Sequence, residues 1–546
     1  MQKKYSIGLD FGTLSARAVI VNTKNGEPLK EESIFYYPHS IMAYLNGAPL
    51  PPSYALQHPQ DYIDALEFLL NDVTDKNLIN KAEISGIGIA FTDCTFFPID
   101  KSFTPLCFLD EYKNDPHAYA KLWKHHAKEE YAKKAETAAL LYDPSILAVT
   151  GKKMTSEFMI PKLYEIFCEA PKIYSNTYKF VSAGDYIASL LIGKKLIHSK
   201  AFSAKQHFFG EKYPDKAFFA KIDEGFASVY EEKIHTELFS VEKSVGNLCA
   251  EWSQKTGLSQ STAIGAPIID ANSAIPAAGI KDGAVITVMG TSATVEIITP
   301  KKNIVDQALS NSFGSVCENM NVIESALAAM GDLFDWFIKN CVPERYFEEA
   351  RLQNMNIHQY LRSLAKDQRI GQHGLIALDW WNGSRYITLN NDLSGLIVGL
   401  RMSTSPEDIY RTLIESAVFA IRRIFDSFIE QDIEISEVFA TGGIALKDPL
   451  LMQILSDVLN MPVSCLDSTQ ATAIGSAIIG AVASGAYNSV REASNAMHCP
   501  IAKTYIPSLP AHAEYEKIYK QYKKLCSYFS GEGSEIMEFL SNNKNK

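Results

Sequence analysis

The chain has 546 residues, 47% hydrophobic and 21% charged, which is enough to bury more than one core. Single cores stop growing near ~250–300 residues, so two domains are expected. The net charge of −11 and the lack of any long run of like charges exclude the basic stripe of a nucleic-acid binder, so a phosphate must be held locally, by backbone N–H groups, a few cations and a metal.

In chain order, "YSIGLDFGTLSARAVIV" from Tyr5 reads as apolar strand, tight turn, apolar strand. Gly12 lets the backbone approach a ligand, Thr13 and Ser15 add hydroxyls, and Arg17 is a planar fork suited to phosphate oxygens. Asp10 ends a buried strand, which is costly unless it is paired or shares a Mg²⁺ with a phosphate. A plain hairpin with a satisfied Asp accounts for the same residues. "EISGIGIAFTDCTFFPID" from Glu83 is a second buried strand, running into a loop at Thr92–Thr95. "YAKLWKHHAKEEYAKKAETAALLY" from Tyr119 has helical spacing, and "TSEFMIPKLYEIFCEAPKIY" and "GDYIASLLIG" also read as helices. His125 and His126 are adjacent, so they face different sides of a helix and cannot form an i,i+4 metal pair.

"GAPIIDANSAIPAAGI" places Asp270 after an apolar run and at a helix start. It can cap that helix, or it can accept the proton of an alcohol in phosphoryl transfer. "AVITVMGTSATVEIITP" from Ala284 repeats the opening device with Gly290, Thr291 and Ser292 in the turn, which suggests an internal duplication. Two such turns, one per domain, could grip one polyphosphate across a cleft. "PEDIYRTLIESAVFAIRRIFDSFI" from Pro406 is a long amphipathic helix, and "EVFATGGIALKDPLLMQILSDVLNMPVSCLD" reads as strand, Gly442-Gly443 turn, helix, strand. Those glycines permit close approach of a flat ring or a phosphate, or simply turn the chain. "ATAIGSAIIGAVASGA" from Ala471 is shorter than the ~18–20 residues of a membrane span. Trp380 and Trp381 are expected in a core or an interdomain wall. The last ~60 residues are expected to be helical before a frayed end. Nine scattered Cys without Cys-x-x-Cys, and no signal h-region, suggest reduced thiols in a cytoplasmic enzyme. Strands alternating with helices in both halves imply two α/β domains with a cleft between them.

The segments "GLDFGTLSARA", "PLCFLDEYKNDPHAYAKLWKHH", "IALDWWNGSR", "DLSGLIVGL", "GGIALKDPLLMQILSDVLN" and "TAIGSAIIGAVASG" make the chain resemble the FGGY carbohydrate kinases, from Ser6 to about Gly485, and within them the ribulokinase branch. The resemblance implies an α/β fold of two ribonuclease-H-like (actin/Hsp70/sugar-kinase) domains flanking a nucleotide cleft. Residues 1–280 would form the sugar-binding and catalytic domain, 281–490 the ATP-binding domain, and 491–546 a helical extension with a frayed tail. It also implies ATP- and Mg²⁺-dependent phosphorylation of a ketopentose at its terminal hydroxyl, with L-ribulose giving L-ribulose 5-phosphate as the leading case. By resemblance, Asp270 is the base and Asp10 the metal residue. Thr13, Ser15, Arg17, Gly290, Thr291 and Ser292 meet the phosphates. Gly331, Asp335, Gly442, Gly443 and Lys447 lie along the adenosine, and Thr92, Asp93, Lys205 and Glu324 face the sugar. The implied partners are the sugar and ATP, with neither nucleic acid nor membrane, and a homodimer is compatible with the family.

Two departures stand beside the implied sugar pocket. Ribulokinases usually carry a small residue at Asp93 and a His at Asn272. An added carboxylate can accept sugar hydroxyls or crowd them, and Asn lacks the imidazole's titration. Another ketose or a polyol (xylulose- or D-ribulose-type) is therefore the alternative substrate. A degenerate actin-like sugar or nucleotide sensor is the alternative from another class.

Overall fold

The computed structural model describes residues 4–544 apart from 210, 303, 307 and 387. The outermost residues of the expected first domain and of the frayed tail, 1–3 and 545–546, lie outside that set. Two sheets carry the fold, and they share one plan. In the first, the antiparallel strands Tyr5–Phe11, Ser15–Asn22 and Ser33–Tyr36 form a meander. On the other side of Tyr5–Phe11 lie the parallel strands Ile84–Phe91 and Ala263–Gly265, then the antiparallel edge Ser244–Asn247. In the second, Ala284–Met289, Ala293–Thr299 and Asn321–Leu327 form the meander, with Ser310–Phe313 added outside it. Glu437–Thr441 and Val463–Leu466 follow in parallel, and Ile501–Tyr505 closes the antiparallel edge. The duplication expected from the two turns is therefore present in the strand order itself.

The parallel central strands are buried on both faces, so they need helices above and below. One of these helices comes from far along the chain. Ala471–Ala483 lies on the first sheet, where Cβ atoms added to Gly8, Gly86 and Gly88 would fall 1.8, 2.0 and 1.7 Å from the carbonyl oxygens of Ala473, Gly480 and Ser476. Ser476 Oγ donates to Leu9 O at 3.0 Å and Ser6 Oγ to Ala477 O at 2.7 Å. The small-residue stripe of "TAIGSAIIGAVASG" is thus an intimate helix–sheet contact. The core around the first sheet takes in residues of 471–499 as well as residues before 285.

Mostly between Ile84–Phe91 and Ser244–Asn247 the chain builds a satellite layer. Its small sheet orders Lys179–Ser182, Phe96–Ile99, Ala120–Lys121 and, from upstream, Leu56–Gln57, over a separate core that includes Phe158, Phe180, Phe218 and Phe226. In the second half, Pro406–Glu430 starts at a capping box of Ser405 and Asp408 and buries an apolar face against the helices around it. Trp380 is fully buried in this second core, as the sequence suggested.

Two expectations need correction. The helix read from Tyr119 begins only at Glu129 and runs to Tyr142. Upstream, Ala120–Lys121 is a short strand, and Lys121 is fully buried on Glu165 at 2.7 Å, with His125 bonded to the same carboxylate at 2.8 Å. A buried ionic cluster overrides the helical spacing there. The last segment is not helical throughout, because Ile501–Tyr505 pairs into the second sheet before Leu509–Ser530 and Ser534–Lys544 form.

Candidate active site

The opening turn closes with Gly12 N donating to Ser15 O at 3.0 Å. Thr13 is held on both sides, since its carbonyl accepts from Gln57 Nε2 at 2.6 Å and its Oγ1 from Trp123 Nε1 at 3.0 Å. Asp10 and Arg17 are register partners across the hairpin, so their side chains leave the same face. Burial pushes the Asp10 carboxyl up to about 6, against the pull of Arg17.

Asp270 opens the helix Asp270–Ala278 as its first residue, not as its cap, and its Oδ1 accepts from Ala271 N at 2.8 Å. Burial raises it to about 7, and the charges of Asp10 and Asp93 add to the rise while Lys205 opposes it. This helix is seated by close approach. A Cβ on Gly475 would lie 1.7 Å from Ser273 O, and Ser273 Oγ donates to Thr472 O at 2.8 Å.

Lys205 is buried rather than the surface lysine its flanks allow. Its ammonium lies 3.3 Å from Asp93 Oδ2 and 2.9 Å from Glu324 Oε2. Asp93 belongs to the first half and Glu324 to the second, so Lys205 ties the two together. Thr92 is buried, with its hydroxyl on that of Thr95 at 2.8 Å, and it fixes the loop that carries Asp93. Burial raises the Asp93 carboxyl, with Lys205 pulling it back, whereas the two carboxylates hold the Lys205 ammonium firmly protonated.

The second turn supports a neighbouring helix. Gly290 N donates to Ser292 O at 2.9 Å, and Met330 N and Gly331 N donate to Thr291 O at 2.8 Å and Gly290 O at 3.0 Å. Those bonds set the N-terminus of Gly331–Cys341 on the turn. Gly442, at φ +98°, lies against Met289, where a Cβ would meet the carbonyl oxygen at 2.3 Å. Gly443 faces open space, and Ile444 packs by Gly331. Gly290–Ser292, Gly331 and Gly442–Gly443 therefore converge. Asp335 and Lys447 lie outside this convergence as exposed side chains. Asp335 contacts His358 at 3.3 Å, and the Lys447 ammonium forms no ion pair among the described residues.

Four neighbours were not anticipated. Tyr37 has a buried hydroxyl without a hydrogen-bond partner among the described residues, in the field of Asp10 and Asp270. Glu296 is fully buried, with neither carboxyl oxygen hydrogen-bonded among the described residues. Trp123 reaches Thr13, and Arg385 of the second half stacks over its ring at 5.1 Å while pairing with Glu157. A lone Glu inside the buried run "ATVEIIT" was a readable signal, whereas nothing local marks Tyr37, and Trp123 and Arg385 lie in resembling segments with nothing that singles them out there. Two open grooves of about 390 and 550 Å³ elsewhere contain none of these residues.

Residues 5–275 match the N-terminal domain of the FGGY family of carbohydrate kinases and residues 285–484 its C-terminal domain. The chain belongs to the FGGY family of carbohydrate kinases. It is similar to proteins named ribulokinase from Geobacillus thermodenitrificans, at 35% identity over 549 residues (99% of this chain, 97% of that one), and from Bacillus licheniformis, at 35% over 541 residues (97% and 98%). In fold it is similar to a gluconate kinase from Lactobacillus acidophilus (TM-score 0.80, 18% identity, 98% and 99% covered). It also resembles a glycerol kinase with ADP from Plasmodium falciparum (TM-score 0.76, 16% identity, 96% and 98% covered). This FGGY chain is thus a phosphotransferase acting on a carbohydrate, with the two-domain actin-like fold. Among the described residues no helix is long and apolar enough to cross a membrane.

Proposed function

We propose that this FGGY kinase transfers the γ-phosphoryl group of ATP to the terminal hydroxyl of a ketopentose, L-ribulose giving L-ribulose 5-phosphate, with Asp270 as the base. The observation that carries the reading is the buried Lys205, clamped between Asp93 and Glu324 of opposite halves and close enough to Asp270 to act on its charge. A cation with two flanking carboxylates offers donors and acceptors for vicinal hydroxyls, and a base with a pKa near 7 is poised to take a proton at neutral pH. The 35% identity to proteins named ribulokinase supports the sugar.

On this reading the division into 1–280, 281–490 and 491–546 assigns the sugar to the first part and ATP to the second. Gly331, Gly442 and Gly443 admit the adenosine, with Asp335 and Lys447 at its rim. Gly290–Ser292 and Thr13, Ser15 and Arg17 take the phosphates, and Thr92 and Asp93 line the sugar. The donor chemistry suits a magnesium ion. Burial raises the Asp10 carboxyl, and among the described residues no hydrogen bond to it is formed, while Mg²⁺ is usually bound by one or two carboxylates together with phosphate oxygens. Asp10 would hold it, and it would supply neutralisation of the β- and γ-phosphate charge. Asp270 accepts the hydroxyl proton, and Lys205 and Glu324 orient the sugar so that its oxygen meets the phosphorus.

A related ketose or polyol is the second reading. Asp93 and the buried Oδ1 of Asn272, unpartnered among the described residues, favour it, because both present acceptors where the ribulokinase branch differs. The test is ADP release with ATP, Mg²⁺ and a panel of ketopentoses, ketohexoses and polyols. L-Ribulose should exceed the other sugars by at least about tenfold in kcat/KM. Preference for another sugar would move the assignment to the second reading, and no sugar-dependent release from folded protein would overturn both.

A further inference from the structure

Glu296 stands directly opposite Glu324 on the antiparallel strands Ala293–Thr299 and Asn321–Leu327. Partners in such a pair leave the sheet on one face with Cβ atoms ~4.5–5.5 Å apart, and two like charges there are destabilising. Glu324 already has its cation, Lys205, and its Oε2 also accepts from Ser310 Oγ at 3.0 Å. Glu296 has none among the described residues, although Lys205, Glu324 and Asp270 all act on it electrostatically. An ionised Glu296 would face a like charge without water, or would draw Lys205 away from Glu324 and Asp93. A neutral carboxylic acid avoids both, and it offers one O–H donor and one acceptor that none of the described residues uses.

We propose that Glu296 is a positioning residue for the acceptor sugar, a neutral carboxylic acid that shares a sheet face with Glu324 and leaves Lys205 to Glu324 and Asp93. The inference rests on the reading of Lys205 and Glu324 as sugar-holding groups. Its consequence is that the Glu324–Lys205 pair keeps one geometry, with its charge balance set by Asp93 and Glu324 alone. The assignment differs from that of an ordinary core side chain, because the neutral isostere is expected to substitute for it.

Glu296→Gln and Glu296→Ala test this in the full-length chain with L-ribulose, ATP and Mg²⁺. The Ala variant is also neutral but empties the space opposite Glu324, so it should raise KM for the sugar about tenfold while KM for ATP is unmoved, and the Gln variant, which fills that space without charge, should keep the sugar KM within about threefold of wild type. An infrared difference spectrum of wild type against Glu296→Gln at neutral pH should contain the carbonyl band of a protonated carboxylic acid. A Gln variant with a tenfold or greater loss, an Ala variant equal to wild type, or carboxylate bands in place of the acid band would each overturn the proposal. Thermal unfolding of both variants guards against a folding defect, and the Gln and infrared arms stand if the Ala variant does not fold. No sugar-dependent ADP release by wild type would count against the kinase reading, and the infrared arm would still decide whether Glu296 is the neutral acid.

Discussion

Asp10 and Asp270 have their pKa values raised by the same burial that makes them useful, to about 6 and about 7. A base must be ionised, so kcat/KM, which reports the free enzyme, should fall as pH drops through about 7 and fall more steeply below about 6. It should be level above about 8, until other groups titrate. A profile flat from pH 5 to 8 would contradict the role of Asp270. Several of these residues could be read from the chain because each breaks a local pattern. Asp10 interrupts a buried strand, and Asp270 ends an apolar run at a helix start. Lys205 could not be read that way, since its burial depends on Asp93 and Glu324, which lie more than a hundred residues away on either side. The choice between capping and catalysis for Asp270 was equally closed to the sequence. Only the structure shows that it is the first helical residue, with Ile269 in the cap position.

The elements that seat the site depend on backbone contact. Helix Ala471–Ala483 lies against both the first sheet and the helix of Asp270, and Gly475 touches Ser273, three residues from the base. Gly475→Ala should destabilise the protein by about 1–3 kcal/mol, because the obstructing atom is a carbonyl oxygen that cannot swing away. It should lower turnover as well, since Asp270 moves with Ser273. Denaturant unfolding and kcat check this, and unchanged values of both would refute the seating argument. Strand and helix periodicity made most of these elements legible. It failed at 119–128, where the Lys121–Glu165–His125 cluster replaces helical packing by a buried ionic one. It also missed the strand Ile501–Tyr505, most of whose residues are exposed, so that no apolar run marks it.

At the scale of the whole molecule, two sheets share one plan, and the halves are joined by Lys205 with Glu324 and by Arg385 with Glu157. Two similar turns, Gly12–Ser15 and Gly290–Ser292, made the duplication visible in the sequence, but the crossing of 471–483 back to the first sheet was not, because its partners Gly8, Gly86 and Gly88 lie about four hundred residues earlier. On the proposed function, the nucleotide lies on the second half and the proton acceptor on the first. Asp270→Asn therefore tests the account most directly, by pairing sugar-dependent ADP release with ATP affinity measured by calorimetry. Turnover should fall by ~10²–10⁴-fold while the ATP Kd stays within about threefold of wild type. Turnover within tenfold of wild type, or a loss that tracks weakened ATP binding, would contradict it.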